Sequence, residues 1–322
     1  MQKELNKLIP YFLKKRHIME LYSLVIEKYI NNQDTFCVCA DLSRHTEFEN
    51  IEKKHPNKVI NVGIAEQNLL GISAGLASNS DSSIIYTQTL ACFLLTRGYD
   101  IISQNICNDN LNVKLLGTNA GLSSGLAGIS HWIINDIGIL KSIPNLTILC
   151  PSDVFEVAKS IDYASKTKGP FYIRIPFPFL RENNDYKPGV INKIGFYKFG
   201  RAYTNIVISY GYHAELCKSL IRDNISLIEL YNVNTFNEKE LLKVICKAER
   251  ICLVEEHFIS SGVGETIARL ILQHQLTCKY KQLGISSIPA KEGNYEYLLH
   301  EIQLDKLNIE RNILDFFENK KN

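Results

Sequence analysis

Short apolar runs recur along the first half of the chain, and between them the hydrophobic spacing changes to a helical period. Residues 35–41 (TFCVCAD), 82–89 (SSIIYTQT), 112–118 (NVKLLGT), 146–152 (LTILCPS) and 170–176 (PFYIRIP) read as strands. Several are apolar throughout rather than alternating, which is the pattern of a strand covered on both faces. Helical stretches near residues 17–30, 66–78, 93–107 and 154–165 lie between them. Strands alternating with helices in this way predict an α/β fold built on a parallel sheet.

The texture then breaks. The stretch RIPFPFLRENNDYKPGVINKIG carries three prolines and a polar centre without periodicity, so residues 181–189 read as a linker. A second strand series follows (NIVISYG, SLIELYNV, RICLVEEH, KYKQLGI), with helices near residues 213–222, 238–247 and 262–273, and residues 295–319 look helical. The expectation is two parallel-sheet α/β domains, residues 1–185 and 186–322.

Composition narrows the function classes. Lys plus Arg number 36 against 34 Asp plus Glu, a balance that gives no footing for nucleic acid or a membrane surface. No run approaches the ~18 apolar residues of a membrane span. The N-terminal apolar patch is too short and interrupted to read as a signal peptide. The nine cysteines are scattered, without a CxxC pair, which fits neither a disulfide framework nor a zinc site. They read as small core residues in a reducing compartment, and cytoplasmic localisation is expected.

Three stretches invite chemistry. In NVGIAEQNLLGISAGLA (residues 61–77) a helix begins at Glu66 and carries no charge after it, with Gly71, Ser73, Ala74, Gly75 and Ala77 small. Such a helix is expected to be buried nearly all round. A first-turn Glu is also explained by the helix dipole alone, worth ~0.3–1 kcal/mol. The loop GTNAGLSSGLAGISHW (residues 117–132) follows a strand and offers backbone N–H groups of the kind that cradle phosphate, although no Lys follows as in a P-loop. SGVGETIARLI (residues 261–271) opens a helix with two glycines but lacks the third of a dinucleotide fingerprint, so helix capping and tight packing explain it better.

Taken in order, GIAEQNLLGISAGLA, GTNAGLSSGLAGISHWIINDIGILKSIPNLTILCPSD and GPFYIRIP resemble the blocks of transketolases. VEEHFISSGVGETIARLI and GNYEYLLHEIQLDKLNIERNIL resemble that family's C-terminal domain, so the resemblance covers nearly the whole chain. It looks most like the C-terminal subunit of split, two-chain transketolases. The related 1-deoxyxylulose 5-phosphate synthases share the pattern.

The resemblance implies a pyrimidine-binding domain followed by a transketolase C-terminal domain, and thiamine diphosphate as cofactor. Glu66 matches the glutamate that hydrogen-bonds the aminopyrimidine ring nitrogen, where a carboxyl stabilises the imino tautomer that accepts the thiazolium proton. Burial disfavours a charged carboxylate, which suits a group that holds or shares a proton. Phe93 matches an aromatic flanking the pyrimidine, Leu90 stands where a second aromatic is common, and Asp41 matches a residue near the thiazolium. His131 matches a substrate-contacting histidine placed where charge develops. Arg174 and Arg16 match residues that grip a sugar phosphate, a role that suits the guanidinium fork.

Departures fall on the substrate side. Asn119 replaces a phosphate-contacting His, Ala127 replaces an Asp that reads a substrate hydroxyl, and Ile129-Ser130 replaces Pro-Thr. The family's Gly-Asp-Gly metal–diphosphate motif does not occur in the chain. The resemblance therefore implies an N-terminal partner subunit that holds most of the Mg²⁺ (or Ca²⁺) site, in a two-fold heterotetramer. The implied reaction moves a two-carbon ketol unit from a ketose, as its phosphate, to an aldose. Its rivals are a 1-deoxyxylulose 5-phosphate synthase-like or 2-oxo acid decarboxylating subunit, and a silent assembly subunit.

Overall fold

The computed structural model describes residues 20–32, 34–41, 48–175 and 190–318. The first sheet holds β1 (Thr35–Cys39), β2 (Val59–Asn61), β3 (Ile84–Leu90), β4 (Val113–Thr118), β5 (Thr147–Leu149) and β6 (Phe171–Arg174) in the order β2-β1-β3-β4-β6-β5, with every pair parallel. Successive side chains leave opposite faces. Val38, Ile85, Leu115 and Tyr172 enter one apolar cluster, while Cys37, Tyr86, Leu116 and Ile173 enter another that is closed by the helix Val154–Lys166. Both faces are therefore core, which is why these strands read as apolar throughout. Each fully buried aliphatic side chain contributes roughly 1.5–3 kcal/mol.

The second sheet holds β7 (Phe196–Phe199), β8 (Asn205–Ser209), β9 (Ile225–Leu230), β10 (Arg250–Phe258) and β11 (Lys279–Ile285) in the order β11-β10-β8-β9-β7. It is parallel except for the edge strand β7, which runs antiparallel to β9. The expected boundary near residue 185 and the linker lie outside the described residues.

The two sheets are not independent. Ile206, Ile208, Ile228, Leu230, Ile251 and Leu253 of the second belong to the same cluster as Val38 and Leu115 of the first. Backbone bonds join them as well: Cys150 N–H donates to Tyr231 O (2.9 Å) and Val233 N–H to Ile148 O (3.1 Å).

Several local expectations need correction. The helix expected over residues 93–107 is broken at Gly98: Ala91–Thr96 ends there, and Tyr99–Ile101 runs into a π-helical turn. A Cβ at Gly98 would lie 1.9 Å from Leu70 Cδ1, so the close approach excludes any larger residue. Residues 295–319 form two helices, Tyr295–Glu301 and Lys306–Phe317. Gln303 takes a φ of 59°, and Asp305 restarts the helix by accepting from Leu307 and Asn308 N–H. Of the nine cysteines, Cys246 is exposed and Cys278 half-buried, while the rest are buried thiols. No helix among the described residues is long and apolar enough to cross a membrane.

Candidate active site

In a parallel sheet, ligands bind beyond the carboxyl ends of the strands, at the point where the order reverses. Here that point lies between β1 and β3, because the chain passes from β1 outward to β2 and then returns to the other side of β1. Asp41 follows β1, Glu66 follows β2, Leu90 ends β3 and Asn119 follows β4. The expected site residues thus converge on one edge.

Asn61, the last residue of β2, shapes the approach. Its Oδ1 accepts from Asp41 N–H (2.9 Å) and Gly63 N–H (3.0 Å), tying the ends of two neighbouring strands together. Asp41 (φ 53°) and Gly63 (φ 73°) both adopt the left-handed conformation there, which Gly adopts freely and Asp more readily than most residues. The turn then delivers Ala65 and Glu66 to the start of the helix Glu66–Ser78.

The Glu66 side chain is only 6% exposed, and its Oε1 accepts from Arg97 Nη1 at 2.8 Å. The Arg97 guanidinium lies 3.9 Å from the centre of the Phe93 ring, a cation–π stack. Phe93 in turn meets the edge of the His131 ring, with centroids 5.0 Å apart. His131 Nδ1 is 2.9 Å from Ser130 Oγ. Glu66, Arg97, Phe93 and His131 form one continuous chain of contacts, beside a cavity of about 350 Å³ lined by Ala65, Glu66, Gln67, Asn68 and Arg97. Arg97 was not anticipated. The signal was present, since residues four apart share a helical face and Arg97 caps the helix that carries Phe93.

Leu90 is partly buried at the start of that helix and packs on the core. Asn119 (φ 52°) donates to Ser124 Oγ at 3.4 Å. Arg16 lies outside the described residues.

Arg174 does not stand where phosphate could meet it. Its side chain is 2% exposed, with Nε donating to Asp136 Oδ2 at 2.8 Å and Nη2 to Glu256 O at 3.3 Å, while Nη1 lies 3.8 Å from Glu256 Oε2. Tyr172 OH also donates to Asp136 Oδ2, at 3.1 Å. The expectation of a phosphate grip at Arg174 is corrected: the guanidinium is taken up by two buried carboxylates, one from each domain. Leaving either unpaired in the interior is costly.

The two glycine-rich stretches also close on carboxylates. Glu256 accepts from Leu122 N–H (2.8 Å) and Tyr295 OH (3.0 Å), and a Cβ at Gly121 would strike its carboxylate at 2.5 Å. Glu255 accepts from Val263 and Gly264 N–H at the start of the helix Val263–Gln273, and from Tyr210 OH. The anion cradles are real, but these N–H groups already bind the chain's own Glu255 and Glu256. Burial raises the pKa of both carboxyls, and these donors oppose it.

The helix after Glu66 departs from expectation in the other direction. Leu69, Leu70, Ser73, Ala74 and Ala77 are buried, but Gln67, Asn68, Gly71, Gly75 and Ser78 are exposed. A Cβ at Gly71 or Gly75 would meet nothing within 4 Å. The expectation of burial all round fails because the chain supplies nothing that covers this face. Ile64, Leu126 and Ile129 stand exposed within a few residues of Glu66 and His131.

A carboxylate beside an aromatic face suits a flat, nitrogen-bearing heterocycle. The flat guanidinium now seated between Glu66 and Phe93 shows that such a group fits. Among the described residues, no group of three His, Cys, Asp or Glu side chains is placed to hold a metal ion.

Comparison with known proteins agrees with this arrangement. The family profile described as the transketolase pyrimidine binding domain matches residues 15–181. One of the two apulose-4-phosphate transketolase chains of Actinobacillus succinogenes is 32% identical over 280 residues, covering 83% of this chain and 88% of that protein. Mouse transketolase is 28% identical over 88% of this chain, which spans 46% of it. A solved split-gene transketolase, an inactive beta4 tetramer, superposes with a TM-score of 0.80 at 24% identity, over 94% of this chain and 99% of that one. With a strand-end site of this form and a profile that matches half its length, the chain belongs to the transketolase family.

Proposed function

We propose that this chain is the C-terminal subunit of a two-chain, thiamine diphosphate-dependent transketolase, which transfers a two-carbon ketol unit from a ketose phosphate to an aldose. The observation that carries the reading is the Glu66 carboxylate held beside the Phe93 face, at the strand-end crevice and next to an open cavity.

Thiamine diphosphate supplies, when bound, the carbon nucleophile that cleaves and forms the carbon–carbon bond. Glu66 holds the aminopyrimidine nitrogen and shares its proton. Phe93 and Leu90 bracket the ring, and Asp41 lies toward the second ring. His131, with Ser130 at its Nδ1, holds a donor oxygen and meets developing charge. Asn119 reads the sugar, and Arg16 remains the chain's candidate for its phosphate. The name of the Actinobacillus relative, with its apulose 4-phosphate, supports a phosphorylated substrate.

The N-terminal partner supplies the diphosphate and Mg²⁺ (or Ca²⁺) half of the site. The uncovered face of Gln67, Asn68, Gly71 and Gly75 and the exposed Ile64 support a second chain seated there. A two-fold heterotetramer in the cytoplasm is the proposed assembly. Titration calorimetry tests the split site: thiamine diphosphate with Mg²⁺ binds the two-subunit complex, while the isolated chain shows no micromolar binding. Micromolar binding by the isolated chain overturns the division of the site. Carbon dioxide release from pyruvate without ketol transfer moves the reading to a decarboxylating subunit.

A further inference from the structure

In the single chain the place assigned to the aminopyrimidine is already filled, and a side chain of the same subunit fills it. Arg97 Nη1 lies 2.8 Å from Glu66 Oε1, and its guanidinium carbon sits 3.9 Å from the Phe93 ring centre. A guanidinium is planar, presents a π face and carries N–H donors on its rim. An aminopyrimidine offers the same features to the same two residues. One carboxylate and one ring face cannot serve both groups at once.

We propose that Arg97 is a built-in stand-in for the cofactor ring. It holds Glu66 and Phe93 in their binding arrangement in the empty subunit, and it leaves as the ring enters. This makes it a positioning residue and an internal competitor. The inference rests on the roles given above to Glu66 and Phe93.

The surroundings of the pair fit a departure. Glu66 is fixed and 6% exposed, whereas the Arg97 side chain is 46% exposed, so one partner is anchored and the other can move. The neighbouring backbone is pinned, because Gly98 presses on Leu70 so closely that a Cβ would lie 1.9 Å from its Cδ1. Movement therefore falls to the Arg97 side chain, and the adjoining cavity of about 350 Å³ gives it room. Arg174, also an arginine facing carboxylates, has no such outlet, being 2% exposed.

The test is calorimetric titration of thiamine diphosphate, at saturating Mg²⁺, into the assembled two-subunit complex. Arg97→Met removes the charge and the donors but leaves an unbranched chain over Phe93. It binds the cofactor about three- to tenfold more tightly than wild type, the scale of one half-exposed ion pair plus one cation–π contact. Arg97→Lys keeps the charge without the planar fork and falls between the two. Added salt narrows the gap between Arg97→Met and wild type, because it screens the wild-type pair. Weaker binding by Arg97→Met makes Arg97 a direct cofactor contact and overturns the stand-in, and so does unchanged binding. If Arg97→Met does not assemble, Arg97→Lys decides alone: binding no tighter than wild type overturns the proposal. Glu66→Ala separates this from the underlying reading. Unchanged affinity in Glu66→Ala overturns the role of Glu66, whereas weakened affinity there, with no gain in Arg97→Met, overturns only the stand-in.

Discussion

Glu66 and Glu256 are both nearly buried and both face an arginine, yet their surroundings differ in kind. Glu256 accepts from a backbone N–H and a tyrosine hydroxyl, with Arg174 beside it, and a Cβ at Gly121 would strike it. Glu66 meets the half-exposed Arg97 at the rim of a cavity. A carboxylate ringed by donors that cannot move is part of the framework. One held by a cation that can swing away is available to something else. Burial alone does not separate the two; the mobility of the partner does.

The comparison is tested most severely at Glu66 itself. In the assembled complex, Glu66→Gln lowers turnover by ~10²–10⁴-fold, the usual scale of a lost acid–base group, while thermal stability hardly changes. Hydrogen–deuterium exchange at the thiazolium carbon, at equal cofactor occupancy, slows in parallel. Equal exchange in variant and wild type would make Glu66 a helix-end residue. Arg174→Met should do the reverse, leaving two buried carboxylates without their cation. The expected cost is about 3–5 kcal/mol of folding stability, read by denaturant unfolding, and cofactor affinity in the surviving folded complex stays near wild type. A loss of substrate affinity without a loss of stability would restore the phosphate role.

The framework side also carries a pH signature. His213 is buried, with Nε2 3.1 Å from Leu304 O. Burial pushes its pKa down to about 4, although the Leu304 carbonyl opposes the shift. A depressed folded-state value means the contribution is complete above the unfolded value near 6.5 and is lost as pH falls toward 4. Melting curves between pH 7 and 4 should show up to about 3 kcal/mol of acid destabilisation, and His213→Gln should flatten it. An unchanged slope would place the acid sensitivity elsewhere.

Smaller effects are expected at the open edge. Asn119 sits at φ 52°, a conformation histidine tolerates better than most residues. Asn119→His should change the ratio of kcat/KM between two donor sugars by about tenfold, the factor for 1.4 kcal/mol. An equal change for all donors would remove Asn119 from substrate reading. At Gly75, where a Cβ meets open space, Gly75→Ala should stabilise the isolated chain by about 0.5–1 kcal/mol. The same methyl should weaken assembly with the partner, as sedimentation would show. A gain in the isolated chain with no loss in assembly would mean that the face stays uncovered.

The sequence was most legible where neighbours in the chain are neighbours in space. The apolar strands, and the convergence of Asp41, Glu66 and Leu90 on strand ends, follow from local pattern plus the rules of parallel sheets. Arg97 was hidden in LLTRGYD because a single arginine near a helix end has many ordinary explanations, and its relation to Phe93 shows only once the helix is drawn. Arg174 was misread for the opposite reason. Its partner Asp136 stands 38 residues away and its other neighbour, Glu256, 82 residues away in the other domain, and no local spacing encodes either. The same distance concealed Glu255 and Glu256 as the anions bound by the two glycine-rich stretches. The break at Gln303 escaped notice because the helical period resumes almost in phase beyond it.

The apolar cluster that runs from Val38 and Leu115 to Ile208 and Leu253 has a consequence for how the chain comes apart. Two halves that share an interior cannot melt separately without opening that interior to water. Calorimetry of the isolated chain should give one transition, with the enthalpy from heat absorbed equal to the enthalpy from its steepness. A backbone nick between residues 176 and 189 should leave the fragments sedimenting together. The joined cleavage products would behave as a non-covalent dimer whose midpoint depends on concentration, and their dissociation constant would be a direct measure of how strongly the two sheets hold each other.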